Sequence, residues 1–165
     1  MAEIRIMKIN LNFENLTKFK PEKKIIKKIF NLLLKNNNVY KNSCLKNLKI
    51  KTLSIDFVFC DDDFIHKINK EYRGFDKPTD VISFALFCDD EKSVIIDEIN
   101  LGEIIISVDT AQKQAVENNH CLKKEIYYLI SHGILHLLGY DHQTQKEYNF
   151  MVEMQNFIIK ELNYD

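Results

Sequence analysis

Several features that would place the chain in a particular class of protein are missing from its sequence. There is no run of about 18 apolar residues, so no membrane-spanning helix is expected. Residues 1–10 alternate apolar and polar side chains and lack the apolar block of a secretory signal peptide. Internal repeats, low-complexity tracts and a domain linker are also absent. We therefore expect a single domain over residues 1–165, located in the cytoplasm.

The cysteines give neither a metal-binding spacing nor a clear disulfide framework. No two of them form a C-x-x-C pair. An even count is compatible with two disulfides in a secreted protein, but a signal peptide is lacking. Buried or reduced thiols are therefore expected at all four positions, Cys44, Cys60, Cys88 and Cys121.

The net charge of −1 hides an uneven distribution of charge along the chain. Residues 1–55 hold 13 Lys and Arg against 3 Asp and Glu, whereas residues 56–165 hold 10 against 21. Such asymmetry indicates a polyanionic partner on one surface. The alternative is a solvated, lysine-rich helix in a chain rich in Lys, Asn and Ile, and charge alone does not separate the two.

Apolar periodicity predicts the order β-α-β-α-β-β-α-α-α, which is typical of an α+β domain. One mixed sheet of about four strands, packed with helices, is expected. The early strand-helix-strand units favour parallel pairing, and the short connection between the third and fourth strands favours an antiparallel pair. Strands are predicted at about 4–11, 52–59, 81–87 and 101–107, helices at about 21–34, 61–68, 109–118, 122–138 and 144–162, and connections at 40–47, 73–80 and 88–100.

A histidine-rich segment near the end of the fourth predicted helix contains the candidate functional residues. His132 and His136 are four residues apart and share one helix face. Gly139 ends the helix, so the chain turns and brings His142 to the same place. Three neutral imidazoles leave one tetrahedral position for water, which is the catalytic pattern of zinc ligation. We predict one Zn²⁺ per chain, because packing alone explains three histidines in this arrangement poorly.

The spacing of these ligands is that of the zinc-metalloprotease motif HExxHxxGxxH. That motif requires Glu directly after the first histidine as the general base. Gly133 stands at this position and cannot accept a proton. The sequence therefore argues against a peptidase of this mechanism, and another base or direct attack by metal hydroxide is required.

Three motifs together resemble the YbeY-type endoribonucleases. The first is H-G-x-L-H-L-x-G-x-D-H over residues 132–142, and the second is Y-R-x-x-D-x-P-T-D-V-x-S-F over residues 72–84. The third is L-G-E-I over residues 101–104, followed by Ser107, where family members often carry Asp in place of Glu103. The motifs follow the family's order, and the resemblance runs from about Leu53 onward.

The resemblance implies a zincin-like α+β fold with a metal at the three histidines. It also implies a zinc-dependent, single-strand-specific endoribonuclease in 3′-end maturation of small-subunit ribosomal RNA and in ribosome quality control. Ribosomal RNA and the ribosome are the implied partners, and neither a membrane nor DNA is expected. By position, Arg73 corresponds to a functionally important arginine, so Arg73 and His132 are the predicted catalytic residues.

Several further residues have a functional and a structural interpretation. Arg73 suits bidentate contact with phosphate, and the alternative is a salt bridge to Asp76 or Asp80. For those two carboxylates, turn formation beside Pro78 is favoured. Asp141 either supports a ligand histidine or caps its turn. The lysines of the first helix that are predicted to bind RNA together with Arg73 are Lys23, Lys24 and Lys27.

Two other functions compete with the endoribonuclease hypothesis. One is a zincin-type zinc peptidase or amidase, against which Gly133 is the main argument. The other is a ribosome-assembly binding factor with a mainly structural metal, against which the open coordination position argues.

Overall fold

The computed structural model describes residues 5–87 and 95–164. Within these residues, strands and helices alternate through the first half of the chain and helices dominate the second. The elements are β1 (Arg5–Asn15), α1 (Lys23–Lys35), α2 (Asn37–Tyr40), β2 (Lys49–Cys60), α3 (Asp62–Arg73), β3 (Val81–Ala85), β4 (Ile95–Ser107), α4 (Val108–Glu117), α5 (Leu122–Leu137) and α6 (Gln145–Glu161).

The four strands form one sheet in the order β1-β2-β4-β3. β1 pairs with β2, and β2 with β4, in parallel, whereas β3 and β4 are antiparallel. Parallel neighbours need a crossover connection, and α1 lies in the one between β1 and β2. The prediction of an α+β fold with one mixed sheet of about four strands is therefore confirmed.

Helices cover the two faces of the sheet unequally. On one face, α1, α5 and α6 form the main core with alternate residues of β2, among them Leu53, Ile55 and Phe57. On the other face, Ile65 of α3 belongs to a smaller cluster with Val58. The strict alternation of β2 therefore places its strongly apolar side toward the larger helical layer.

α5 carries the histidine segment and packs its apolar side into the main core. Ile126, Ile130 and Ile134 are each 0% exposed. The helix contacts β3 and β4, so its polar side opens beside β3 at the edge of the sheet. None of the described helices has the length and apolar character needed to cross a bilayer.

The start of β4 differs from the prediction. The strand begins at Ile95 rather than at about Leu101, because residues 95–100 pair through their backbone with the start of β2. Lys51 of β2 forms an ion pair with Asp97, so the acidic side chains of this segment do not prevent pairing. The rest of the predicted connection, residues 88–94, and Cys88 lie outside the described residues.

α3 is longer than predicted, and a short helix was missed. α3 continues to Arg73 and ends where Gly74 adopts a left-handed conformation with φ 75°. Arg73 is therefore the last residue of a helix and not part of the loop. After α1, the Asn36 side chain accepts hydrogen bonds from the amides of Asn38 and Val39, which caps α2.

Candidate metal centre

The three histidines of the predicted site lie together at the C-terminal end of α5. His132 and His136 are one turn apart, and their Nε2 atoms are separated by 3.0 Å. The ring centroid of His142 is 5.5 Å from that of His132 and 5.1 Å from that of His136. Each ring offers one nitrogen, and these nitrogens lie within 4.8 Å of one another. Small side-chain rotations bring three such nitrogens to about 2 Å from one ion.

Hydrogen bonds to the outer ring nitrogens decide which nitrogen of each imidazole is protonated. His136 Nδ1 lies 2.9 Å from the carbonyl oxygen of Tyr140, so it is the N–H donor. His132 Nδ1 lies 3.3 Å from Oε1 of Gln155 and donates in the same way. Both Nε2 atoms therefore direct lone pairs toward each other, which a cation between them stabilises. This donor set fits a metal ion.

Burial keeps two of the imidazoles in the neutral form. Burial is the main cause that lowers the pKa of His132, and the hydrogen bond to Gln155 opposes it. Burial, followed by the neighbouring rings of His132 and His142, lowers the pKa of His136 to about 4. Neutral imidazole is the form that binds a metal, so neither ring has to lose a proton at pH 7.

The turn after α5 is fixed by glycine and by an aromatic anchor. Gly139 has φ 95°, a left-handed conformation that suits glycine. The Tyr140 hydroxyl donates to the carbonyl oxygen of Val39 at 2.6 Å, and its ring stacks on Phe150 with centroids 5.2 Å apart. These contacts hold the chain where His142 faces the other two histidines.

Gly133, the residue after the first histidine, faces the sheet. A Cβ at this position would lie 2.8 Å from Cγ2 and 2.9 Å from Cδ1 of Ile104 on β4. The absence of a side chain therefore lets α5 approach the sheet closely. A glutamate would not fit here without displacing this contact, which adds a steric argument against the peptidase alternative.

The histidines line a cleft with a volume of about 710 Å³. Arg73, at the end of α3, and Ser83 of β3 contribute to the same cleft. Residues of α5 and α6 form the rest of the lining, among them Tyr128, Tyr148 and Gln155. The cleft thus joins a possible metal site, a guanidinium group and aromatic rings.

Comparison with known sequences decides the family. A sequence model described as endoribonuclease YbeY matches residues 9–163. The chain belongs to the YbeY family. The match also includes most of the basic N-terminal segment, which contains none of the three motifs.

Individual YbeY relatives agree with this assignment. Endoribonuclease YbeY of Clostridioides difficile (strain 630) is 42% identical over 109 residues, which are 66% of this chain and 71% of that protein. Endoribonuclease YbeY of Acholeplasma laidlawii (strain PG-8A) is 48% identical over 110 residues, or 67% of this chain and 75% of the relative. These relatives are named endoribonucleases, in agreement with the predicted enzyme class, a nuclease-type hydrolase.

The fold is shared with a solved structure of low sequence identity. The solution structure of TM1509 from Thermotoga maritima has a TM-score of 0.53 to this chain. The structural match covers 93% of this chain and 91% of the TM1509 chain, at 23% sequence identity. The likeness shows that the two proteins have a common fold.

Arg73 lines the cleft and has no acidic partner among the described residues. Asp76, one of its expected salt-bridge partners, instead contacts His66 Nε2 at 2.7 Å and Lys70 Nζ at 2.8 Å. Asp80, the other, accepts hydrogen bonds from the Val81 amide and from the Gln114 side chain. Both carboxylates therefore have partners other than Arg73, on α3 for Asp76 and on α4 for Asp80, and Arg73 remains exposed.

The predicted RNA-binding lysines lie elsewhere. Lys23, Lys24 and Lys27 occupy the first half of α1, are exposed, and are not among the residues that line the cleft. Lys23 Nζ lies 5.8 Å from the centroid of the Phe13 ring. Their role in RNA binding stays a prediction, but it now concerns a surface outside the cleft.

Asp141 has the contacts of a turn-forming residue. Its side chain accepts hydrogen bonds from the backbone amide of His142 at 2.8 Å and from the side chain of Gln143 at 2.7 Å. Within the described part of the chain, no hydrogen bond joins it to an imidazole ring. These contacts favour capping of the turn over support of a ligand ring.

Sequence reasoning missed the cleft residues of α6. Tyr148 and Gln155 lie seven residues apart, and so on one face of the helix, but no motif marks them. Gln155 is only 3% exposed. The sequence does not show that this polar residue is buried together with the apolar side chains of its helix. The helical spacing with Met151 is the one signal that places both on the face toward α5.

Proposed function

We propose that this member of the YbeY family is a zinc-dependent endoribonuclease that cleaves single-stranded RNA. The proposed roles are 3′-end maturation of small-subunit ribosomal RNA and ribosome quality control. The observation that supports this proposal best is that His132, His136 and His142 lie together in a cleft that Arg73 also lines. We further propose a single catalytic domain that acts in the cytoplasm on ribosomal RNA and the ribosome, with neither DNA nor membranes as partners.

Zinc suits this donor set because it binds imidazole nitrogen and is four-coordinate in proteins. His132, His136 and His142 would hold one ion per chain. When bound, zinc supplies Lewis-acid chemistry and lowers the pKa of a water ligand to roughly 7. The chain contributes orientation, because the Tyr140 carbonyl and the Gln155 amide oxygen hold two rings with their Nε2 atoms toward the site.

Arg73 is the proposed phosphate-binding group. Its side chain lies at the cleft and has no ion pair among the described residues, so its charge is available to a substrate. A guanidinium group binds two phosphoryl oxygens at once and stabilises negative charge that develops on them during cleavage.

Tyr128 and Tyr148 support a single-stranded substrate. Both rings line the cleft, and Tyr148 is 52% exposed. Unpaired bases stack on exposed aromatic side chains, whereas bases within a duplex have both faces covered. A strand that brings a phosphate to Arg73 therefore has aromatic surface nearby for its bases.

The test is cleavage of a single-stranded RNA that carries the 3′ end of small-subunit ribosomal RNA. Wild-type protein should cleave it, a chelator should stop cleavage, and added zinc should restore it. His136→Ala should remove the activity, whereas His66→Ala, which changes an imidazole outside the cleft, should keep it. Wild-type cleavage rates from a purified variant that lacks all three cleft histidines would contradict the proposal.

Metal-free protein also distinguishes between an enzyme and a ribosome-assembly factor. If metal-free protein is folded and still supports maturation of ribosomal RNA in an extract, the metal is not catalytic. That result would favour the ribosome-assembly alternative.

A further inference from the structure

Gln155 is a buried polar residue whose contacts both lead to the histidine helix. It lies on α6 and is 3% exposed. Its Nε2 donates to the carbonyl oxygen of Tyr128 at 3.3 Å, and its Oε1 lies 3.3 Å from His132 Nδ1. Because a buried amide must be hydrogen-bonded, both ends of this side chain are used on α5.

The hydrogen bond from Gln155 to Tyr128 sets the direction of the hydrogen bond between Gln155 and His132. The carbonyl oxygen of Tyr128 can only accept, so the NH₂ group of Gln155 has to face it. The amide oxygen is then turned to His132, whose Nδ1 must be the donor. The Nε2 of His132 is left unprotonated, 3.0 Å from the Nε2 of His136.

His136, the other histidine on α5, is oriented by a backbone group and needs no side-chain partner. His136 Nδ1 is held by the backbone carbonyl of Tyr140 at 2.9 Å, whatever side chain stands at that position. Within the described residues, Gln155 is the one side chain outside the histidine cluster that forms a hydrogen bond with a ring of the cluster. Among the three rings of the cluster, a substitution at Gln155 therefore removes a hydrogen bond from His132 alone.

We propose that Gln155 is a positioning residue that holds His132 as its Nδ1–H tautomer and thereby sets the metal affinity of the site. An imidazole without this acceptor rotates more freely and spends part of its time with a proton on Nε2, where it cannot bind an ion. Outer partners of metal-binding histidines typically change affinity by about 10–100-fold. The inference rests on the metal site of the proposed function.

Zinc affinity of the full-length variants, measured by competition with a chromophoric chelator, tests the proposal. Gln155→Met keeps the length of the side chain but removes the acceptor, and it should weaken binding by about 10–100-fold. Gln155→Glu gives up the contact to Tyr128 but keeps an acceptor for His132, so it should bind zinc at least as tightly as wild type. Gln145→Met, an exposed change on the same helix, is the matched control and should not alter affinity.

A second readout does not depend on affinity or activity. In the zinc-loaded protein labelled with ¹⁵N, the Nδ1–H proton of His132 should exchange slowly with water in wild type and in Gln155→Glu. In Gln155→Met it should exchange much faster. If Gln155→Met does not fold, the exchange rates of wild type and Gln155→Glu still decide.

The outcomes separate a failure of the proposed function from a failure of the role proposed for Gln155. A wild-type chain that binds no zinc overturns the proposed function and this inference together. If wild type binds zinc but Gln155→Met binds it within about twofold, only the inference fails. It also fails if Gln155→Glu loses as much affinity as Gln155→Met, because packing and not the acceptor would then explain the role of Gln155.

Discussion

Gly133 connects the catalytic segment to the packing of the sheet. Its missing side chain removes a general base and also creates the space in which Ile104 contacts α5. The two consequences belong together, because a side chain at this position points into the core and not into the cleft. A glutamate at this position would therefore start toward Ile104 and not toward the histidines.

Gly133→Ala should destabilise the protein despite the higher helix propensity of alanine. The new Cβ would lie 2.8 Å from the Ile104 side chain, and overpacking of this kind costs about 1–3 kcal/mol. Urea unfolding measures the loss. In an Ile104→Ala background the same change should cost little, and an equal cost in both backgrounds would show that the close contact is not the cause.

Arg73→Ala should affect catalysis without affecting folding. A charged hydrogen bond to phosphate contributes about 1.5–3 kcal/mol, so kcat/KM for RNA should fall by roughly 10–150-fold. The free energy of unfolding should change by less than about 0.5 kcal/mol, because Arg73 is exposed and has no ion pair within the part of the chain that the structure describes. Lys67→Ala, on the same helix, is the control and should retain activity, and a large loss of stability in Arg73→Ala would instead indicate a structural role.

At the scale of elements, α3 is fixed at its first turn and presents Arg73 at its last. Asp62 accepts hydrogen bonds from the hydroxyls of Ser107 and Thr110, each at 2.6 Å, and from Lys113 Nζ at 2.6 Å. One carboxylate thus joins α3 to the end of β4 and to α4. The orientation of α3, and with it the position of Arg73, depends on this junction.

The Asp62 junction makes stability depend on pH in the acid range. Burial opposes ionisation of Asp62, but the hydrogen bonds from Lys113, Ser107 and Thr110 outweigh it and lower its pKa from the ordinary value of 3.8 to about 2. A depressed carboxyl pKa stabilises the fold above the unfolded-state value, and this contribution is lost as pH falls from 3.8 toward 2.

Asp62→Asn removes that contribution. The variant should be less stable than wild type at pH 5, and the difference between them should shrink below pH 4. Urea unfolding of both proteins across this range measures it. A difference that stays constant down to pH 2.5 would contradict the assignment to Asp62.

Most elements could be predicted because their signals are local. α5 was expected over residues 122–138 and is observed over Leu122–Leu137, since apolar residues repeat at helical spacing within the segment itself. The beginning of β4 could not be predicted, because residues 95–100 become a strand by pairing with residues 49–54, far away in sequence. Arg73 is a different case, because the residue that ends its helix, Gly74, is its neighbour in sequence. The helical position of Arg73 was missed although a glycine at a helix end is a local signal.

At the scale of the whole molecule, positive charge and the cleft are in different places. The basic residues of the first third include the exposed lysines of α1, whereas the histidines lie beside β3. The first turn of α1 is tied to α5 through Glu22, which accepts hydrogen bonds from Lys123 and from the Tyr127 hydroxyl. An RNA that contacts both surfaces has to extend beyond the cleft.

Replacing Lys23, Lys24 and Lys27 together by Gln should weaken RNA binding in a salt-dependent way. Each phosphate contact to a single strand contributes about 0.7 to the slope of log affinity against log salt, so the slope should fall by about 2. Fluorescence anisotropy with labelled RNA at several salt concentrations measures it. A triple variant of Lys41, Lys46 and Lys49 controls for net charge, and an unchanged slope in the α1 variant would favour the solvated-helix alternative.

The sequence alone determined the three histidines, the turn between them and the order of strands and helices except for the short helix α2. These follow from helical periodicity, from the conformational freedom of Gly139 and from apolar alternation, all of which act over a few residues. The absence of a general base at Gly133 was also visible without a structure. The resemblance to YbeY endoribonucleases rested on the same short segments.

Only the tertiary structure decided which residues surround the histidines. Gln155 comes 23 positions after His132, and the packing of α6 on α5 brings it to that ring. Arg73 lines the cleft because α3 ends beside β3, the strand that packs against α5. The lysines of α1 are not among the lining residues. These relations depend on the docking of elements distant in sequence, which no local pattern encodes.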